Sequence, residues 1–254
     1  MYLYLYDQYI KEKKYTSIIK QVENRLTDIG IAGKIVRLQN FTNADSIIEQ
    51  EIRQGVTTVV VVGNDETFGY VLSRAAHQQV TFGFIPIGEK GNTIAPILGI
   101  PYNDDACDVL SRRRKMSLDV GWFNGRFFVN QLYIPPSHIE VQYDDRFVVS
   151  SQTGKIELVV CNLQPFFWKD TKSQGFVIHP QDGKLEAFLR PLTKVGWWRQ
   201  EYEESSIFPF TEMVVRAKKP FVVVADGKES KEVSITIKLA KEKISLVVGK
   251  ERQF

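Results

Sequence analysis

The chain is 254 residues long, enough for one or two domains at roughly 150 residues each. Its 33 Lys and Arg against 30 Asp and Glu leave a net charge of +3, and 43% of the residues are apolar. That balance excludes a disordered chain, a collagen and a disulfide scaffold, and it lacks the concentrated basic footprint of a nucleic-acid binder.

Cys107 and Cys161 stand too far apart for a zinc motif or a disulfide framework, which points to a reducing compartment. The segment Met1–Asp7 has no basic start and too short an apolar run for a secretion signal. The valine run Val59–Val62 falls far below the roughly 20 residues of a membrane span. The expectation is a soluble, cytoplasmic protein without a transmembrane segment.

Tyr2–Tyr6 reads as a strand, and Tyr15–Asp28 as a helix with Ile18, Ile19, Val22 and Leu26 on one face. Gly33–Leu38 is a second strand. A helix follows from about Thr42 to Arg53, capped by Thr42 or Asn43 and ended near Gly55. The β-branched run Thr57–Val62 suggests a strand buried on both faces of a parallel sheet. A helix over Glu66–His77 and a strand over Thr81–Ile87 continue an alternation that implies right-handed crossovers and an open parallel sheet. After Lys115 the pattern changes. Asn124-Gly125 lies between two short runs, a strong hairpin signal. Strands are then expected at 155–161, 175–179, 185–192, 212–216, 221–224, 233–239 and 243–248, with no long helical periodicity. The expected class is α/β: a parallel-sheet domain over residues 1–116 and a mostly antiparallel β domain over 117–254.

In an open parallel sheet, ligands bind beyond the carboxyl ends of the strands. Two loops there carry glycines and polar residues and open helices. One is Gly63-Asn64-Asp65-Glu66-Thr67; the other is Gly88-Glu89-Lys90-Gly91-Asn92, followed by Thr93. Such loops bring backbone amides close to a phosphate. They equally make ordinary strand–helix turns with Asn or Thr caps.

Taken together, a series of motifs resembles one family. The valine strand running into Gly63-Asn64-Asp65-Glu66-Thr67 is similar to the Gly-Gly-Asp-Gly-Thr signature of the diacylglycerol kinase catalytic domain. Phe84-Ile85-Pro86-Ile87-Gly88, then Asn92-Thr93-Ile94-Ala95 and Leu98-Gly99-Ile100-Pro101, resembles that family's second loop and its Leu-Gly-Ile-Pro ending. Leu118-Asp119-Val120-Gly121 resembles its Asp-Leu-Gly strand, Pro180-Gln181-Asp182-Gly183-Lys184-Leu185-Glu186 its Pro-x-Asp-Gly-x-Leu-Asp turn, and Asp226-Gly227-Lys228 its Asp-Gly-Glu. These five landmarks follow in order between residues 57 and 228.

The resemblance implies a Rossmann-like nucleotide domain and a C-terminal β-sandwich for the lipid substrate, with the active site between them. It implies transfer of the ATP γ-phosphoryl group to a lipid hydroxyl with Mg²⁺. Gly63, Asn64, Asp65, Glu66 and Thr67 would line the phosphate and metal region, and Gly88, Glu89, Lys90, Gly91 and Asn92 the nucleotide side. Asp226 would be the catalytic base. Asp65, Asp182 and Glu186 would be the metal residues. NAD kinases share the distant fold, yet residues 98–101 and 180–186 fit the lipid branch better.

Departures fall on the phosphate-handling positions. Asp7 follows the first strand where the family carries a glycine-bearing phosphate loop. Asn64 and Glu66 replace glycines, Glu89 replaces a threonine, and Lys228 replaces a glutamate. A carboxylate about 4 Å from a phosphate charge costs roughly 4 kcal/mol at an effective dielectric near 20. A catalytically inactive kinase fold, kept for ligand binding or interaction, is therefore the alternative. Glu66 and Glu89 could also be ordinary first-turn acids of helices.

Arg112-Arg113-Arg114-Lys115 reads either as a contact for anionic lipid headgroups at a membrane surface or as a solvated helix end. The aromatics Phe166-Phe167-Trp168, Trp197-Trp198 and Phe208-Pro209-Phe210 read as an interfacial lip, as sandwich core or as a homodimer contact.

Overall fold

The computed structural model describes residues 1–39, 43–143, 147–150, 154–164, 177–195 and 199–254, without the side chains of 194–195 and 199–200. The chain divides into two compact units: residues 1–118 with 242–254, and residues 119–241.

The first unit alternates strands and helices: β1 (Tyr2–Tyr6), α1 (Thr16–Asp28), β2 (Lys34–Arg37), α2 (Ala44–Arg53), β3 (Thr58–Gly63), α3 (Asp65–Ala75), β4 (Thr81–Pro86), α4 (Ile94–Ile97), α5 (Asp105–Arg112) and β5 (Lys115–Leu118). Every residue of β1, β3 and β4 is buried, as their unbroken apolar runs require of strands covered on both faces. The α1 face buries Val22 and Leu26, while Ile18 and Ile19 stay half-buried. Of the two caps expected for α2, Asn43 holds the position and Thr42 lies outside the described residues.

The second unit is β throughout: β6 (Gly121–Phe123), β7 (Arg126–Phe128), β8 (Gln131–Ser137), β9 (Glu140–Tyr143), β10 (Phe147–Ser150), β11 (Lys155–Cys161), β12 (Leu185–Val195), β13 (Arg199–Tyr202), β14 (Ser206–Phe210), β15 (Glu212–Ala225) and β16 (Lys228–Leu239). They form one 11-stranded sheet, in which each described pairing is antiparallel. One core gathers Phe123, Leu132, Leu158, Leu189, Val215 and Ile237 from strands far apart in that order, so the sheet wraps around it. The β6–β7 hairpin turns through Asn124 and Gly125, both at positive φ, as the dipeptide demands.

The final strand, β17 (Ile244–Val247), lies in the first unit's sheet, whose order is β2–β1–β3–β4–β17–β5. It runs parallel to β4 and antiparallel to β5. Sequence reading put residues 243–248 in the second domain; four apolar-rich residues carry a strand signal but no address. The segments 212–216 and 221–224, read as separate strands, are one strand, β15, interrupted by a register shift between Arg216 and Phe221. Of the strand expected at 175–179, residues 177–179 lie in no strand, and 175–176 lie outside the described residues.

On the sheet face away from the main core, Arg190 Nη2 donates to Glu157 Oε2 at 3.0 Å, each side chain only 7% exposed. The Tyr133 hydroxyl donates to Glu157 Oε1 at 2.9 Å, and the Arg190 guanidinium lies 3.6 Å from the Tyr202 ring centroid. A buried charge needs such partners. Phe210 is a core residue and Phe208 packs against the same cluster. The expected aromatic groups at 166–168 and 197–198 lie outside the described residues. Among the described residues no helix is long and apolar enough to cross a membrane.

Candidate functional site

Two clusters of the expected residues are built, one in each unit. In the first, β3 and β4 are parallel neighbours with Gly63 opposite Pro86, so the loops of Gly63 and Gly88 leave adjacent carboxyl ends. Asn64 caps α3, its Oδ1 accepting from Thr67 N at 3.0 Å. Asp65 N donates to Gly91 O at 3.1 Å. The Asp65 carboxylate ties the two loops together: its Oδ2 accepts from Thr93 N at 2.5 Å, Thr93 Oγ1 at 2.8 Å and Ile94 N at 3.1 Å. Its Oδ1 is buried with no hydrogen-bond partner among the described residues, and burial raises its proton affinity despite those donors.

Asp7 is the departure with the largest structural consequence. The Thr67 hydroxyl donates to its Oδ2, and Tyr9 N donates to its Oδ1 at 3.1 Å. A Cβ at Gly63 would stand 2.9 Å from Asp7 Cβ. A carboxylate thus lies against the glycine and threonine that the family resemblance assigns to phosphate. Burial raises the Asp7 pKa, with the Glu66 charge adding to the rise. Glu66, Glu89 and Lys90 themselves are exposed.

In the second loop Gly88 and Gly91 adopt positive φ, which glycine tolerates. Asn92 is buried and donates to Ile87 O at 3.3 Å and Gly88 O at 2.6 Å, fixing the loop from inside. Tyr9 OH reaches Ile87 O at 3.3 Å, and Asn103 Oδ1 accepts from Gly88 N at 2.9 Å. Sequence reasoning missed Tyr9 and Asn103. Their partners lie 78 and 15 residues away, beyond any local period. The run Arg112–Lys115 is a turn: α5 ends at Arg112, Arg113 has φ 50°, and its guanidinium lies 5.8 Å from the Tyr2 ring.

The second cluster is a continuous polar chain. Asp226, at φ 45°, turns the β15–β16 hairpin, and its carboxylate accepts Val129 N at 2.7 Å, Asn130 N at 3.0 Å and Gln131 N at 3.1 Å. Burial raises its pKa, with those amides opposing the rise. Asp226 also lines a small cavity of about 200 Å³ with Gln131, Tyr133, Val159, Val224 and Gly227. The buried Asn162 side chain donates to Val129 O at 2.7 Å and Asp119 O at 2.9 Å. Asp119 Oδ2 accepts from Gly183 N at 2.8 Å, which holds the turn carrying Asp182, whose Oδ1 accepts Lys184 N at 3.0 Å. Glu186 follows on β12, 6% exposed, with Oε2 lacking a partner among the described residues. Among the described residues no three His, Cys, Asp or Glu side chains form a metal-binding group.

Burial, and then the Asp182 charge, push the Glu186 carboxyl from 4.5 up to about 7. The folded state therefore holds this proton more tightly than the unfolded state. Its contribution is full below pH 4.5 and is lost as pH rises through about 7. In EDTA, Glu186→Gln should remove a decline of about 3 kcal/mol. Urea midpoints at acid and alkaline pH check this, and parallel pH profiles for the two proteins would reject it.

Residues 3–123 match the diacylglycerol kinase catalytic domain. No curated protein matches the sequence. A crystal structure of a diacylglycerol kinase from Bacillus anthracis is similar in fold, with TM-score 0.76 and 16% identity over 98% of this chain and 97% of that one. Two structures of candidate diacylglycerol kinases from the same organism give TM-score 0.75 at the same identity, covering 98% of this chain and 97% of theirs.

Proposed function

We propose, from the match of residues 3–123 to the diacylglycerol kinase catalytic domain, that the protein transfers the γ-phosphoryl group of ATP to a lipid hydroxyl, weakly, because Asp7 competes for the phosphate place. The observation that carries the reading is Asp226. Of its two carboxylate oxygens, Oδ2 accepts a single amide, which leaves a lone pair for a hydroxyl proton. Its raised proton affinity suits a general base.

Mg²⁺, when bound, supplies charge neutralisation on the transferring phosphate. Asp65 could offer its buried Oδ1, and Asp182 with Glu186 could offer a second oxygen pair whose mutual repulsion a cation relieves. The chain's own loops do the positioning: Asp65 and Asn92 hold the two glycine-bearing loops in fixed relation. The lipid would come from an anionic membrane surface touched transiently, with Arg112, Arg114 and Lys115 exposed for that contact.

Asp7 weakens this function because a nucleotide phosphate must displace a carboxylate from Thr67 or bind beside it. Calorimetry should give an ATP·Mg affinity weaker than about 100 μM, or less than roughly 5.5 kcal/mol. Radiolabelled transfer from millimolar ATP to diacylglycerol in mixed micelles should be slow but present. Low-micromolar ATP binding would reject the competition by Asp7. No transfer by the unmodified protein or by Asp7→Asn would replace this reading with that of an inactive binding module.

A further inference from the structure

The second unit holds a larger cavity, of about 790 Å³, that the proposed reaction does not use. Its floor includes the buried Ile139 and Phe221, and its rim carries Lys155, Arg216, Lys218 and Lys219. β8 separates it from the candidate base. Gln131 at one end of that strand donates to Asp226, and Ser137 at the other end lines the cavity. At about 3.3 Å per residue, the two ends are roughly 20 Å apart.

The cavity opens where β15 leaves its ladder. Arg216 pairs with Ser234 and Phe221 with Glu232, so the four residues Ala217–Pro220 stand against Val233 alone. An insertion of that size costs ladder hydrogen bonds and re-aims side chains. Here it delivers two exposed lysines, Lys218 and Lys219, to the rim. Glu140, opposite Arg216 in the β9–β15 ladder, is the single carboxylate among the lining residues, against four cations. The lining therefore carries a formal +3, equal to the net charge of the whole chain.

We propose that this cavity is a second ligand site, which takes a phosphate monoester. Its volume lies within the usual range of small-molecule sites, roughly 300–1,000 Å³. Lysine ammoniums act as point charges for phosphate, and an Arg guanidinium adds a planar fork for its oxygens. The apolar floor accommodates the organic part of the molecule. The phosphate could be free or borne by a lipid, and either source presents the same dianion to the rim.

The test uses the full chain in two arms: calorimetry with glycerol 3-phosphate, and co-sedimentation with phosphatidylcholine vesicles with and without phosphatidic acid. The arm that binds identifies the source. Lys218→Ala/Lys219→Ala, two exposed changes, should weaken that binding by about tenfold or more. Lys241→Ala, an exposed lysine outside the cavity, should leave it unchanged. Phosphoryl transfer from ATP should be unaffected by the double variant, so this inference and the proposed function fail separately. Binding in neither arm, or binding by the double variant equal to that of the unmodified protein, would overturn the assignment.

Discussion

Asp226→Asn should lower the stability of the protein by about 2–4 kcal/mol as well as slow phosphoryl transfer. The carboxylate accepts from the consecutive amides of Val129, Asn130 and Gln131. Hydrogen bonds to a charged group contribute roughly 1.5–3 kcal/mol each, and a stranded buried donor costs a comparable amount. An asparagine can turn its carbonyl towards Asn130 and Gln131, but its amide then faces Val129 N, donor against donor, at a place now spanned by 2.7 Å. Family resemblance alone would treat this substitution as neutral for the fold, whereas the hydrogen bonds assign the side chain a structural task. Urea unfolding should show a lower midpoint at an unchanged m-value. Transfer rates, compared where both proteins are folded, should fall by about 10²–10⁴. An unchanged midpoint would show that the three amides find other acceptors, and an unchanged rate would remove Asp226 from the mechanism.

Asp7→Asn should tighten ATP·Mg binding by about ten- to a hundredfold. Roughly 4 kcal/mol of repulsion between a carboxylate and a phosphate about 4 Å apart is the upper bound, and screening by a metal leaves about half of it. The amide oxygen can still accept from Tyr9 N while the side-chain NH2 donates to the Thr67 hydroxyl oxygen, which reverses its role, so the loop keeps its form while the charge disappears. Because burial raises the Asp7 pKa, the native carboxyl takes up its proton at a higher pH than an ordinary aspartate. The advantage of the variant should therefore shrink as pH is lowered, and taking the ratio cancels the titration of ATP itself. Equal affinities at neutral pH would acquit Asp7, and Glu66→Gly would become the variant to compare.

Much of this was legible along the chain. Continuous apolar runs marked β1, β3 and β4, and the glycines at 63 and 88 marked the ends where they stop. Asp7 was conspicuous because an acid stood where a phosphate loop was expected, yet its grip on Thr67 spans 60 residues and depends on β1 and β3 being neighbours. The Glu157–Arg190 pair was invisible for a related reason. Both residues sit in strands that read as ordinary, and only the β11–β12 register sets them opposite one another. Charges inside a sheet look like solvent-facing residues until a second layer of contacts, here Tyr133 and Tyr202, is known.

The return of Ile244–Val247 to the sheet between β4 and β5 also sets a timetable for synthesis. When Leu118 leaves the ribosome, β5 has no described partner, because its ladder is with β17. At roughly 5–20 residues per second, the missing strand emerges about 6–26 s later, after the whole of the second unit. Through that interval the exposed edge of β4, Thr81–Pro86, is a template for pairing with another chain. The nascent first unit therefore depends on a late-made segment to close its sheet, and ribosome-bound chains halted before residue 244 should be the aggregation-prone and chaperone-held species, while chains tethered through an added C-terminal linker longer than the exit tunnel should not.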